Sequence, residues 1–367
     1  MKPENYFDNA ATTPVDPRVI REMLPYLETH WGNANSLHAW GREAMDAVDK
    51  AREQVASLLG AEDPSQIFFT SGATESNNWV LKSFDDVVIS PFEHNAVLEA
   101  VDEWRFIGND GLKLLPLEWG GELISVMSVN NEIGTIFTYP GCRPSHEIGS
   151  LHSDITQSVG KLPMNVTEWP GPAWSAVSYA SFSAHKFYGP KGVGGLYARH
   201  GVRSELKTLI GGGEQQDGKR GGTLNVPGVV GMGGAAAIAQ DELQDNLAKT
   251  IELRAIVLDA LKACPDHQIN GGENVSPYIL SVSFKGLEGE TLVIELDQQG
   301  FGISSGAACS SRSADPSHVL TALKMPIEWL RGTIRISFGR LNTKQSALDL
   351  GRALVETVER LRNLRTI

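Results

Sequence analysis

Lys186 stands in Ser183-Ala184-His185-Lys186-Phe187-Tyr188-Gly189, just after the apolar run Ala176 to Phe182. A lysine delivered by a strand end into a cleft can lose its proton by desolvation and attack an aldehyde, which a surface lysine rarely does. On this segment alone, a solvated lysine in a Gly-rich turn is the simpler reading. A second run ends in His152-Ser153-Asp154-Ile155-Thr156-Gln157. A carboxylate held against a pyridine nitrogen keeps that nitrogen protonated and makes the ring an electron sink, so Asp154 could serve the same chemistry. A helix-capping Asp competes with that reading.

Three further segments carry reactive or charged groups. Ile67 to Thr70 runs into Ser71-Gly72-Ala73-Thr74-Glu75, and a small-residue turn opening a helix offers free backbone N–H groups and a positive dipole end to a phosphate. A Ser/Thr helix cap with no ligand is the more common outcome of such a pattern. Cys309 lies in Ser304-Ser305-Gly306-Ala307-Ala308-Cys309-Ser310-Ser311-Arg312, among small polar residues that suit an accessible thiolate. Cys142 and Cys264 have less distinctive neighbours and read as bland. Arg335, in Thr333-Ile334-Arg335-Ile336-Ser337-Phe338, is an inward arginine on a strand and needs an anionic partner, either a substrate carboxylate or an acidic side chain.

The elements that must position these groups follow from periodicity. Short β-rich runs at Ile67–Thr70, Val87–Ser90 and Ile124–Met127 alternate with helical stretches, which predicts an α/β domain with a mainly parallel central sheet. An Ala- and Leu-rich stretch from Gly228 to Lys262 predicts one long helix or two. Strands at Tyr278–Phe284 and Thr333–Phe338 and a helix from about Lys344 to Leu361 predict a smaller α+β domain. The expected division is residues 15–240 for the large domain and 1–14 plus 241–367 for the small one, with a shared cleft.

Composition bounds the partners. A formal net charge of -12 argues against direct capture of nucleic acid or of an anionic membrane surface. Three cysteines, with no CxxC pair, suit a reducing compartment. The N-terminal residues carry no apolar signal-like run, and no stretch approaches the roughly 18 apolar residues of a membrane span. The expectation is a cytoplasmic protein.

In this order the segments resemble the cysteine desulfurases of the class V aminotransferase group, in the branch serving iron-sulfur assembly and tRNA thiolation. The resemblance runs from Asp8-Asn9-Ala10-Ala11-Thr12-Thr13-Pro14 to about Arg365. It implies the fold-type I architecture of pyridoxal-phosphate enzymes, with pyridoxal 5'-phosphate as cofactor and no metal. Lys186 then matches the lysine that carries the cofactor covalently, and His94, in Glu93-His94-Asn95-Ala96-Val97, the stacking and acid/base histidine. Asp154 matches the partner of the ring nitrogen, Gln157 the donor to the ring hydroxyl, and Ala73, Thr74, Ser183 and His185 the phosphate ligands. Thr223 matches a residue donated by a neighbouring subunit, which implies a homodimer. Asn131 and Arg335 match the substrate-carboxylate ligands, and Cys309 the nucleophile that becomes a persulfide as L-cysteine is converted to L-alanine.

Several positions depart from the family pattern. Gly306-Ala307-Ala308-Cys309 stands where Gly-Ser-Ala-Cys is usual, and the segments 101–121 and 135–148 are shorter than the norm. The chain also stops at Ile367, short of the extension with which relatives dock an iron-sulfur scaffold, so the sulfur-acceptor protein stays open. A selenocysteine lyase or another β-eliminating enzyme of the same cofactor group is the competing activity. A non-catalytic scaffold of the same fold is the competing class.

Overall fold

The computed structural model describes residues 2–115, 121–138, 149–168, 177–306 and 316–365. In chain order its first strands are β1 (Ile67–Thr70), β2 (Val87–Ile89), β3 (Arg105–Phe106), the hairpin of β4 (Asn109–Asp110) and β5 (Lys113–Leu114), β6 (Leu123–Ser125), β7 (Ser150–Asp154), β8 (Tyr179–Ser183) and β9 (Gly194–Ala198). All but the hairpin form one sheet in the order β1-β9-β8-β7-β6-β2-β3. The strands β8, β7, β6, β2 and β3 are successively parallel, and β9 alone runs antiparallel to both its neighbours.

That topology decides where the chemistry sits. Parallel strands deliver their carboxyl ends to one edge, and ligands of open α/β sheets bind in the crevice outside those ends. Here the edge receives the turn after β1, His94 after β2, Asn131 beyond β6, Asp154 on β7 and Lys186 after β8. The turn after β1 is pressed against β9. A Cβ added at Gly194 would lie 2.5 Å from Gly72 Cα, so only glycine allows the approach.

Helices α1 (Pro17–Glu28), α2 (Ala39–Leu59), α3 (Ala73–Leu81) and α4 (Asn95–Leu98) precede or interleave these strands. The expected Gly228–Lys262 helix is two, α5 (Val226–Asp241) and α6 (Leu243–Leu261), separated at Glu242. α5 is rich in Gly and Ala and buried on most of its surface. A Cβ at its Gly233 would meet Ala51 Cα of α2 at 2.6 Å, so the two helices cross at backbone distance.

The second sheet contains β10 (His267–Ile269), β11 (Ile279–Phe284), β12 (Ser304–Ser305) and β13 (Thr333–Ser337), antiparallel in the order β10-β11-β13-β12. Around it lie α7 (Gly289–Gln298), α9 (Ile327–Leu330) and α10 (Lys344–Arg365), while α8 (His318–Ala322) packs Val319 and Leu320 into the cluster of the large sheet. Its apolar cluster joins Phe7, Leu253, Phe284, Leu292, Ile334 and Leu354, separate from the cluster that joins α2, α5 and the large sheet. Strand alternation sends Ile334 and Ile336 into that cluster and turns Arg335 to the opposite face, where it is in register with Ser281 and Ser304.

The N-terminal segment ties the two sheets together. Phe7 packs in the second cluster, Asp8 bridges to Ser337, and Thr13 donates both its N–H and its hydroxyl to the carbonyl of His185 (2.9 and 3.0 Å).

Several strand boundaries differ from the sequence expectation by one or two residues, most at Ile124–Met127. The run Ile124–Met127 pairs as a strand only through Ser125, because Met127 N donates instead to the buried carboxyl oxygen Oε1 of Glu93 at 2.6 Å. Among the described residues no helix is long and apolar enough to cross a membrane.

Candidate active site

A cavity of about 320 Å³ opens at the carboxyl edge of the large sheet, between it and β13. Of the twelve residues expected at the site, ten line it: Lys186, Asp154, His94 and Gln157, then Ala73, Thr74, Ser183 and His185, then Asn131 and Arg335. Thr223 does not line it and is exposed in the loop before α5. Cys309 falls outside the described residues, as does Cys142. Cys264 is a buried free thiol whose proton is held more tightly than usual because burial disfavours the thiolate, in keeping with the bland reading.

Lys186 closes a short 3-10 turn, Ala184–Lys186, that follows β8. Its ammonium donates to the carbonyls of Ala10 (2.7 Å) and Ala11 (2.8 Å), so the N-terminal segment holds it at the cavity. Beside it, His185 shares a hydrogen bond with Thr12 Oγ1 through Nδ1 (3.0 Å). Burial, with Lys186, Lys161 and Lys191 nearby, pushes the His185 pKa down to about 4, so the ring is neutral near pH 7.

Asp154 ends β7 and is buried. Its Oδ1 accepts from Thr156 N (3.0 Å) and its Oδ2 from Asn77 Nδ2 (2.8 Å). The capping-type bond to Thr156 is therefore real, and the second bond fixes the carboxylate at the cavity wall. Asn77 was not anticipated from sequence. Its signal was available, because it lies four residues after Ala73 and so on the same face of α3.

At the start of α3 the cap residue is Gly72, which has no side chain to offer the helix N–H groups. Ala73 N donates instead to Ser183 Oγ (2.7 Å), a hydroxyl brought from β8. The Ser/Thr cap is thus not formed, and the helix N-terminus faces the cavity beside a serine, an arrangement that favours an anion.

His94 caps α4, with Nδ1 accepting from Ala96 N (3.1 Å). Burial lowers its pKa, and Lys186 adds to the effect while Asp154 opposes it. A neutral ring whose Nδ1 accepts a backbone N–H carries its proton on Nε2. Preceding it, Glu93 is fully buried; burial pushes its pKa up to about 8, so near pH 7 it keeps its proton.

Arg335 is 3 % exposed. Its Nη1 donates to the Asn131 carbonyl (2.8 Å), and its Nη2 to Asp8 Oδ1 (2.9 Å) and Ser304 Oγ (3.1 Å). Of the two partners considered from sequence, the acidic side chain is the one seen. Asp8 was missed in that role because nothing local links it to a strand 327 positions away. Arg335 Nε remains buried without a hydrogen-bond partner among the described residues.

Residues 5–350 match the family described as Aminotransferase class-V. This chain belongs to that family. It is 39 % identical, over 99 % of its length and 97 % of the relative's, to the cysteine desulfurase IscS of Dictyoglomus turgidum. Among solved structures, a NifS-like protein shares 35 % identity at a TM-score of 0.83, covering 97 % of this chain and 99 % of that one. A structure described as SspA in complex with cysteine shares 30 % identity at a TM-score of 0.70, covering 92 % and 100 %. With its mostly parallel large sheet, the fold is the fold-type I architecture expected from the sequence.

Proposed function

We propose that this chain is a pyridoxal-phosphate-dependent cysteine desulfurase, which converts L-cysteine to L-alanine and takes the sulfur onto Cys309 as a persulfide for iron-sulfur assembly or thiolation. The observation that carries the reading is the convergence of a lysine, a buried carboxylate, a neutral histidine and an uncapped helix N-terminus on one cavity. The polar inventory fits the cofactor. Asn77 Oδ1, Thr156 Oγ1 and Arg335 Nε belong to lining residues and are buried without a partner among the described residues, which is costly unless a polar ligand completes them.

On this reading Lys186 would hold the cofactor, Asp154 would keep a proton at its ring nitrogen, and Gln157 would donate to its ring hydroxyl. The N-terminus of α3, with Ala73, Thr74, Ser183 and His185, holds the phosphate. When bound, pyridoxal phosphate supplies an electron sink that lets the substrate's α-carbon release its proton. His94 would lie against the ring, and its Nε2–H would serve proton exchange at the substrate. Asn131 and Arg335 bind the substrate carboxylate. Cys309 thiolate attacks the substrate sulfur, an S–S bond forms as the C–S bond breaks, and the carbon keeps the electron pair and is protonated. L-cysteine and a thiol thus become L-alanine and a persulfide, in atomic balance.

The reading also divides the chain into residues 15–240 and residues 1–14 with 241–367; the cluster from Phe7 to Val358 supports it, whereas Val319 and Leu320 pack with the first cluster. It makes the protein a cytoplasmic homodimer in which Thr223 serves the neighbouring subunit's site, consistent with its exposure away from its own cavity.

The test is release of alanine and sulfide from L-cysteine by the wild type, Lys186→Ala and Cys309→Ser proteins loaded with pyridoxal phosphate. Lys186→Ala should lack both turnover and the visible band of lysine-bound cofactor. Cys309→Ser should keep the band and lose turnover; equal turnover by Cys309→Ser and wild type would remove the role given to Cys309. Strong activity on selenocysteine with negligible activity on cysteine would establish the lyase instead.

A further inference from the structure

A second lysine, Lys161, is buried close to the site and plays no part in the chemistry above. It is 6 % exposed, follows Gly160 in a left-handed turn (φ +67°), and does not line the cavity. Its ammonium donates to Gln157 Oε1 at 2.7 Å. The same Gln157 donates from Nε2 to the Ala10 carbonyl at 2.9 Å, and that carbonyl also accepts from Lys186. A chain of bonds therefore runs from Lys161 through Gln157 and Ala10 to Lys186.

Burying an ammonium is expensive, and among the described residues no ion pair with a carboxylate offsets that cost. Among the described residues its hydrogen-bond partner is a neutral amide, and the charged groups that act on it are Lys186 and Arg335, both cationic. Burial and those two cations all weaken its hold on its proton. A lysine kept in such a place does something an apolar side chain would not.

The two ends of a glutamine amide are nearly the same shape, and only hydrogen-bond partners decide which faces where. Lys161 Nζ donates to Oε1 at 2.7 Å, so the oxygen end of the amide is the one turned toward the lysine. With Oε1 held by Lys161, the amide nitrogen must face the cavity side. One of its two hydrogens goes to Ala10 O, and the other remains for whatever fills the cavity. The Ala10 carbonyl favours the same orientation but is shared with Lys186, whose nitrogen changes partners in the proposed reaction. Lys161 is the restraint that stays.

We propose that Lys161 is a positioning residue that locks the Gln157 amide with an N–H directed at the cofactor's ring oxygen. The proposal rests on the pyridoxal-phosphate reading. The closing experiment separates the two, because it begins with the wild type: absence of a visible band after adding pyridoxal phosphate sinks the cofactor reading itself.

Given that band, Lys161→Met and Lys161→Gln are compared with the wild type by cofactor titration and by the pH at which the band changes. Lys161→Met should bind the cofactor about tenfold more weakly, the scale of one lost hydrogen bond, and its band should convert at higher pH. Lys161→Gln, which can still donate to Oε1, should recover most of the affinity. On a Gln157→Leu background Lys161→Met should have no further effect, because its action passes through that amide. A merely structural lysine would leave the band's pH response unchanged. Wild-type affinity and pH response in Lys161→Met, or an equal loss on both backgrounds, overturns the proposal. Should Lys161→Met fail to fold, Lys161→Leu is read on the same two backgrounds.

Discussion

The pair between Asp8 and Arg335 offers a quantitative test of how the N-terminal segment is tied to the second sheet. Arg335 is 3 % exposed, and its Nη2 meets Asp8 Oδ1 at 2.9 Å, while the Asp8 side chain keeps 19 % of its exposure. Truncating Asp8 to Ala leaves a buried guanidinium with Asn131 O and Ser304 Oγ but no salt-bridged carboxylate among the described residues. Breaking such a pair costs roughly 3–5 kcal/mol, and partial exposure of the acid places this case near the lower end, about 3 kcal/mol. Removing both partners, as Asp8→Ala with Arg335→Met, should cost less than Asp8→Ala alone, since no charge is stranded. Denaturant unfolding of the cofactor-free protein, followed by near-UV circular dichroism of its aromatic residues, measures the cycle. A loss below about 1 kcal/mol for Asp8→Ala would put the pair in the class of exposed ion pairs and refute the argument. The same substitution should be partly rescued by acetate, which can enter beside Arg335 and supply the missing carboxylate.

Two buried titrations give pH predictions of opposite sign. His152 lies between Ser125 Oγ (2.8 Å) and Ser181 Oγ (3.0 Å), and burial pushes its pKa down to about 4. Between pH 6.5 and 4 the unfolded chain binds a proton there that the native one refuses, so stability is present above 6.5 and falls as pH drops. The contribution is about 3 kcal/mol, and His152→Gln should flatten the acid limb of stability against pH. Glu93, pushed up to about 8, does the reverse, because the native state keeps a proton from pH 4.5 to 8 that the unfolded chain has released. Stability from this group therefore declines as pH rises through that window, and Glu93→Gln, whose amide oxygen can still accept from Met127 N, should unfold at a higher denaturant midpoint than wild type at pH 8. An unchanged midpoint would show that Glu93 is ionised in the native protein.

Much of the site was legible because its chemistry is local. The Lys186, Asp154 and Ser71–Thr74 segments each join a β-like run to small or polar residues, and strand ends in α/β proteins are where such residues gather. The boundaries were less legible. The run Ile124–Met127 looked uniformly β-like, yet the bond from Met127 N to Glu93 ends the ladder early, and the helical stretch after Gly228 showed no sequence mark at Glu242 as strong as a proline or glycine.

What the amino-acid sequence determined by itself was the kind of reactive group at each strand end, because residue type and two- or 3.6-residue periodicity are properties of the chain alone. What only the tertiary structure decided was partnership. Asp8 reaches Arg335, Asn77 reaches Asp154, Ser183 reaches Ala73 N, and Lys161 meets Gln157 largely out of contact with water. Three of these four bonds join elements distant in the chain, and the fourth acquires its meaning from burial. Neither distance in space nor exclusion from water is written in the order of residues; both come from how the sheets, the N-terminal segment and the helices pack.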